Sequence, residues 1–250
     1  MLFRSMAFLI GMGTLATVLA QKKATPPAKT LTVLWAGDSM TAAPWGRRRL
    51  KSNFDKAGYR TEFVGSQFGA NPEGGFTDGE HEGYPGCKIA DVAAKLTAPD
   101  TGALARFPAD IVLILLGTND IGQGQVNGAA DRLRECVVQI RRAKPKARIF
   151  VGTIPPILPN AFDGYDKHRG DVNVYNAAVR AVVAGLRKRD ARIHLVDIHA
   201  ALPATSDYIG DGVHPTGYGV AEEKDGYAHM GDAWFRAIQA VYPKPVVTRR

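Results

Sequence analysis

Cysteine is nearly missing from this chain: only Cys87 and Cys136 occur among 250 residues. Two thiols do not build a disulfide scaffold. Without a Cys-x-x-Cys pair there are no ligands for a zinc ribbon and no dithiol for a thioredoxin-type centre. Long apolar runs are equally scarce. The most extended, Met6 to Leu19, covers 14 residues, short of the roughly 20 that cross a bilayer. Acidic residues are in deficit, 24 against 32 Lys and Arg, for a net charge of +8. The excess is scattered over Arg47-Arg48-Arg49, Arg141-Arg142 with Lys144 and Lys146, Arg187-Lys188-Arg189 and Arg249-Arg250. Three of these clusters read as solvated helix faces and the last is terminal, with no interleaved aromatics to stack on bases, so nucleic acid is not an expected partner. Nucleotide loops are lacking too: there is no Gly-x4-Gly-Lys, and Gly122-x-Gly124-x-x-x-Gly128 has the wrong spacing for a dinucleotide turn. His81-Glu82-Gly83-Tyr84-Pro85 fails as a zincin motif, because its fifth residue is proline and Gly83 opposes a helix. No other ligand cluster points to a metal.

What is present is ordinary globular material, 45% hydrophobic and 22% charged, enough for one core of normal size. Arg4 precedes the Met6–Leu19 run, and Val18-Leu19-Ala20 puts small residues where a signal peptidase cuts. Residues 1–20 are therefore expected to be a signal peptide and 21–30, polar and Pro-rich, a disordered leader. The folded domain is expected over 31–243 with a tail at 244–250. The implied location is secreted or periplasmic, with no stable membrane insertion after cleavage. An uncleaved anchor is the alternative.

Five short β-type runs alternate with helical patterns. The runs are Leu31–Ala36, Thr61–Val64, Ile111–Leu116, Arg148–Gly152 and Arg192–Val196, the third apolar throughout, as in a strand covered on both faces. Helical spacing is expected over Trp45–Lys56, Ile89–Leu96, Gly128–Arg142, Val172–Arg187 and Ala228–Val241. The alternation predicts a single three-layer αβα domain on a five-stranded parallel sheet. Three stretches, Ser66–Gly86, Pro155–Asp171 and Pro203–Tyr227, are longer than ordinary connections. Ligands on such sheets gather at the carboxyl ends of the strands.

Three motifs fall there. Gly37-Asp38-Ser39-Met40 follows the first strand and opens a helix, placing a hydroxyl beside unpaired backbone N–H groups. An N-cap explains the same residues, and the turn is not the Gly-x-Ser-x-Gly elbow. Gly117-Thr118-Asn119-Asp120 follows the third strand, and Asn119 offers an amide donor of the kind an oxyanion needs, or simply forms a turn. Asp211-Gly212-Val213-His214-Pro215 lies on the last long stretch. Three residues on a bent loop can bring Asp211 to Nδ1 of His214 and leave Nε2 for Ser39, although the same spacing serves a metal-ligand pair.

Taken in order, Gly-Asp-Ser-Met after strand one, Gly86 in a Gly-rich stretch, Gly-Thr-Asn-Asp after strand three and Asp-Gly-Val-His-Pro near the end resemble the SGNH (GDSL-type) hydrolase family. The resemblance runs across nearly the whole expected domain and implies a flavodoxin-like fold. It implies Ser39 as nucleophile, His214 as base and Asp211 completing the triad. The Ser39 and Gly86 N–H groups with the Asn119 side chain would form the oxyanion hole, and no metal or organic cofactor is implied. Phe63-Val64-Gly65-Ser66, His81-Glu82-Gly83-Tyr84-Pro85-Gly86 and Met230-Gly231-Asp232-Ala233-Trp234 look like the acetylxylan-esterase-like branch, carbohydrate esterase family three. That branch implies an acylated carbohydrate substrate. Asp38, His81, Glu82 and Tyr84 are candidates for substrate contact, with Asp38 also expected to orient the turn. Two features depart from the family pattern: Thr41-Ala42-Ala43, where a glycine usually sits two beyond the threonine, and an extra stretch Val220–Tyr227. A lipolytic or thioesterase relative and a non-catalytic carbohydrate-binding protein are the competing readings. Cys87 follows Gly86, and Cys136 lies on an apolar helix face. A bridge between them and two unpaired thiols both fit the sequence.

Overall fold

The computed structural model describes residues 29–70, 75–159, 161–162, 164–217 and 219–242. The expected signal peptide, nearly all of the leader and the tail lie outside these residues. The strands are β1 (Leu31–Gly37), β2 (Thr61–Val64), β3 (Gln67–Phe68), β4 (Glu80–Gly83), β5 (Ile111–Leu115), β6 (Arg148–Gly152) and β7 (Ile193–Val196). The helices are α1 (Ser39–Ala42), α2 (Pro44–Lys56), α3 (Ile89–Thr97), α4 (Ala103–Arg106), α5 (Thr118–Gly122), α6 (Ala129–Ala143), α7 (Tyr165–His168), α8 (Asp171–Arg187), α9 (Ile198–Ala201) and α10 (Gly226–Gln239).

The five expected strands form one parallel sheet in the order β2-β1-β5-β6-β7. Every residue of β5 is buried, which is why its run is apolar without alternation: helices cover both faces. On α6, Leu133, Cys136, Val137 and Ile140 form the buried stripe that their spacing predicts. Helices α2 and α10 approach closely through two glycines. A Cβ on Gly46 would stand 2.9 Å from the Met230 methyl, and one on Gly231 would stand 2.9 Å from the Gly46 carbonyl oxygen.

The stretch 66–86, expected to be loop, contains a hairpin instead. Strands β3 and β4 pair antiparallel through Gln67↔His81 and Phe68↔Glu80. β4 then joins β1 in parallel through Ala36↔Glu82 and Gly37↔Gly83. Because β5 holds one edge of β1, β2 and β4 share the other: β2 pairs with Leu31 to Leu34, β4 with Ala36 and Gly37. Glu-His-Glu-Gly has no strand-like pattern, and it is held here by specific contacts. A Cβ on Gly83 would lie 2.4 Å from the Ala42 nitrogen, so only glycine lets β4 pass beneath α1.

Both cysteines are free. Cys136 is buried, and burial pushes its thiol up to about 12. Arg47 departs from the solvated face expected of its cluster: it is a fully buried cation inside α2.

Candidate active site

The first strand delivers Ser39 by a turn that few residues tolerate. A Cβ on Gly37 would meet the Thr41 hydroxyl at 2.1 Å and the Leu115 carbonyl at 2.5 Å. Asp38 then caps α1, its Oδ1 accepting the Met40 N–H at 3.0 Å. A helix of four residues has little stability of its own, and Arg47 supplies an anchor. Its guanidinium donates to the carbonyl of Thr41, to that of Ala43 at 3.3 Å and to that of Gly69 at 2.7 Å. Burial pulls Arg47 down only to about 10, so it stays a cation.

Ser39 Oγ lies 2.8 Å from His214 Nε2, although the two residues are 175 apart in the chain. His214 Nδ1 lies 2.7 Å from Asp211 Oδ2, while Asp211 Oδ1 accepts the backbone N–H groups of Val213 at 2.9 Å and His214 at 2.6 Å. Burial would raise the Asp211 carboxyl, but those two N–H groups and the imidazole together hold it below the usual range. The loop is bent at Gly212, φ +86°, where a Cβ would stand 2.9 Å from the Ala161 Cα. The Gly212 carbonyl accepts the Leu158 N–H at 2.8 Å, tying this loop to the 155–171 stretch. From that stretch Phe162 lies nearly parallel to the His214 ring, 16° between planes and 6.1 Å between centroids.

The third motif grips the glycine block. Gly117, at φ +123°, leaves no room for a Cβ against Tyr175. Beyond it the Asn119 amide nitrogen donates to the Cys87 carbonyl at 2.9 Å, and its Oδ1 accepts the Tyr165 hydroxyl at 2.6 Å. Buried Asp120 accepts the Ile89 N–H at 2.9 Å and pairs with Arg132 Nη2 at 2.8 Å. Gly86 between them is exposed, has φ +75°, and nothing lies within 4 Å of where its Cβ would be. Neither its N–H nor that of Ser39 has a protein acceptor among the described residues.

Three of the four candidates for substrate contact sit beneath this surface. His81 is buried, its Nδ1 accepts the Gly83 N–H at 2.8 Å, and burial with the Arg47 charge pulls it down to about 3, so the ring is neutral. Glu82 is buried and accepts from the Ser66 backbone, from the Ser66 hydroxyl at 3.1 Å and from Tyr84 at 2.5 Å. Tyr84 is partly exposed, and burial and Glu82 push its phenol up to about 12. Asp38 is buried, pushed up to about 6 by burial, and its Oδ2 has no partner among the described residues. Tyr165, Phe162 and Arg47 were not singled out by motif, and Asp120 entered only as the last residue of the Gly-Thr-Asn-Asp block. The only sequence signal for the first two is the unusual length of the stretch that carries them.

Chemically, a hydroxyl bonded to an imidazole that is itself bonded to a carboxylate is the arrangement of an activated nucleophile. No group of three or more His, Cys, Asp or Glu side chains among the described residues is placed to hold a metal ion.

A family model described as GDSL-like lipase/acylhydrolase matches residues 36–221. The chain is 26% identical over 251 residues to a multidomain esterase of Ruminococcus flavefaciens, covering 92% of this chain. It spans only 31% of that relative's length. Among solved structures it is similar to a Clostridium thermocellum family 3 carbohydrate esterase, with a TM-score of 0.69 at 23% identity over 85% of this chain and 97% of that one. A family 3 carbohydrate esterase from Talaromyces cellulolyticus gives 0.64 at 23% identity over 85% and 100%.

Proposed function

The chain belongs to the GDSL-like lipase/acylhydrolase family, and we propose that it is a carboxylic ester hydrolase that removes acetyl groups from carbohydrate by a Ser-His-Asp acyl-enzyme route. The observation that carries the mechanism is the continuous chain of hydrogen bonds from Ser39 through His214 to Asp211. Ser39 Oγ attacks the ester carbonyl carbon while His214 Nε2 takes the hydroxyl proton. The tetrahedral intermediate collapses, and His214 returns that proton to the departing sugar oxygen. Water then attacks the acetyl-enzyme with His214 again as base, releasing acetate and restoring the Ser39 hydroxyl. Asp211, held ionised, fixes the imidazole and stabilises its positive form. The negative oxygen of each intermediate is received by the Ser39 and Gly86 N–H groups and the Asn119 amide. Each step is a proton or acyl transfer, so no redox or organic cofactor enters.

The preference for acetyl and for carbohydrate is supported by the sequence blocks around Gly65, Gly86 and Gly231, and by the carbohydrate esterases among the structural neighbours. Export follows from the Arg4 and Met6–Leu19 pattern, and N-terminal sequencing of secreted protein should find Gln21 first. The functional test is an acyl-length series on nitrophenyl esters alongside acetate release from acetylated xylan. A steep fall from acetyl to butyryl is expected. Comparable octanoyl rates would favour a lipolytic enzyme instead.

A further inference from the structure

Outside the Ser39 site, a groove of about 610 Å³ runs along the outer face of α2. It starts beside the His214 loop: a Cβ on Gly217, three residues past His214, would stand 2.7 Å from the Trp45 ring. From Trp45 it passes Arg48 and Ser52 to Lys56. Its opposite wall includes Val220 and Asp225, both within the extra stretch 220–227 that departs from the family pattern. The groove is lined by four cations against two carboxylates. Most of these charges are already matched. Arg49 binds Asp232 at 2.7 Å, Lys51 binds Asp55 at 2.6 Å, and Asp225 caps α10 through the Ala228 N–H at 2.8 Å. Arg48 and Lys56 make no ion pair within 4 Å among the described residues; the Asp225 carboxylate attracts Arg48 from across the groove without contacting it.

Their placement is selective. Arg48 lies over the Trp45 ring, 5.8 Å from its centroid. A cation–π contact of this kind restrains the side chain without using its N–H donors, which can still receive a carboxylate. Lys56 is eight residues further along the helix, about 12 Å at 1.5 Å per residue. Two cations at that separation, beside the apolar side chains of Trp45, Phe76 and the 40% exposed Val220, suit successive charges on an extended polymer better than one small anion.

We infer that this groove is a subsite for an anionic, uronate-bearing stretch of the polysaccharide whose acyl group is presented to Ser39. Arg48 and Lys56 are the carboxylate-binding residues. The inference rests on the carbohydrate reading above and narrows the substrate class to acidic polymers. Its test is a binding measurement on the intact protein, with acetyl-free glucuronoxylan compared against the same polymer after reduction of its carboxyl groups to alcohols. The native protein should bind the acidic form about five- to tenfold tighter at low salt, the size expected of two exposed charge pairs. Arg48→Glu with Lys56→Glu should abolish that difference, and the milder Arg48→Gln should reduce it. Arg187→Glu with Lys188→Glu, an equal charge change at the far end of α8, should preserve it. Equal affinity for the two polymers would overturn the subsite, and so would an equal loss from the α8 pair, which would reveal only the general attraction of a +8 chain. Nitrophenyl acetate turnover, unchanged in the groove variants, reports on the acetyl-esterase reading separately. Its absence from native protein would sink that reading without touching the binding result.

Discussion

Tyr165 donates its hydroxyl hydrogen to Oδ1 of Asn119 at 2.6 Å. That bond decides which way the amide faces: the phenol occupies Oδ1, the nitrogen donates to the Cys87 carbonyl, and in the proposed oxyanion hole its second N–H is the donor to substrate. It also draws electron density from the amide and strengthens the remaining donor. Glycine on the neighbouring helix makes the contact feasible: a Cβ on Gly122 would stand 2.3 Å from the Tyr165 ring. Tyr165→Phe should lower kcat about five- to tenfold with KM nearly unchanged, the cost of one hydrogen bond. Asn119→Ala should lower kcat by roughly two to three orders of magnitude. A change confined to KM in either variant would place the pair in ground-state binding.

Ser39→Ala should abolish ester turnover while leaving the thermal midpoint within a few degrees of native, since the hydroxyl adds little packing. His214→Ala should be comparably damaging, and added chelator should change nothing. Full turnover in Ser39→Ala would remove the serine from the mechanism. A large chelator effect reversed by added metal would replace the mechanism altogether.

Asp38 predicts a particular pH dependence. Its carboxyl is pushed from 3.8 to about 6 by burial, so folding favours the protonated form. The folded state therefore loses stability as pH rises from about 4 to about 6 and then bears a constant penalty, at most about 3 kcal/mol. Asp38→Asn keeps the oxygen that caps Met40 and does not titrate. Its stability relative to native should rise between pH 4 and pH 7, as urea midpoints at the two pH values would reveal. A pH-independent difference would mean that Asp38 titrates alike in folded and unfolded chains.

Asp120 bonds the first N–H of α3 and the Arg132 guanidinium from an almost fully buried position. Asp120→Ala should cost about 3–5 kcal/mol, the usual result of breaking a buried pair, and should loosen the Gly86 turn that α3 follows. Denaturant unfolding measures the first effect and kcat on nitrophenyl acetate the second. A loss below about 1 kcal/mol would show that Arg132 and the Ile89 N–H find other partners.

Elements with a strong period were legible before the structure. The five parallel strands and five long helices lie within two residues of where apolar spacing put them, because burial of β5 or of the Leu133–Ile140 stripe imposes a pattern that composition records directly. The hairpin of β3 and β4 was not legible, since Glu82 and His81 are fixed by partners at a distance in the chain rather than by local periodicity. The same holds at the site. Ser39, Asn119, Asp211 and His214 announced themselves by motif, and hydrogen-bonded contacts now join Ser39, His214 and Asp211. Tyr165 and Phe162 carry no local signature, because what they do depends on Asn119 and His214, which only the folded chain brings near; Arg47, four to six residues from the α1-turn carbonyls it binds, is hidden in a run of three arginines. His81 and Glu82 are buried beneath the site rather than on its surface, whereas Asp38 caps α1 as its expected role in orienting the turn implies.

The 175-position separation of Ser39 and His214 sets the order in which the site can come into being. A chain emerging from synthesis carries Ser39 before most of the sheet and has every strand once β7, ending at Val196, is out. At that stage Ser39 still lacks its imidazole partner, because His214 arrives only with the loop before α10. Closing so long a loop costs entropy that grows slowly with length, and the docking of α10 on α2 is placed to offset it. The hydroxyl–imidazole bond thus marks completion of this fold: under the proposed mechanism Ser39 gains its base only after every strand of the sheet has been made.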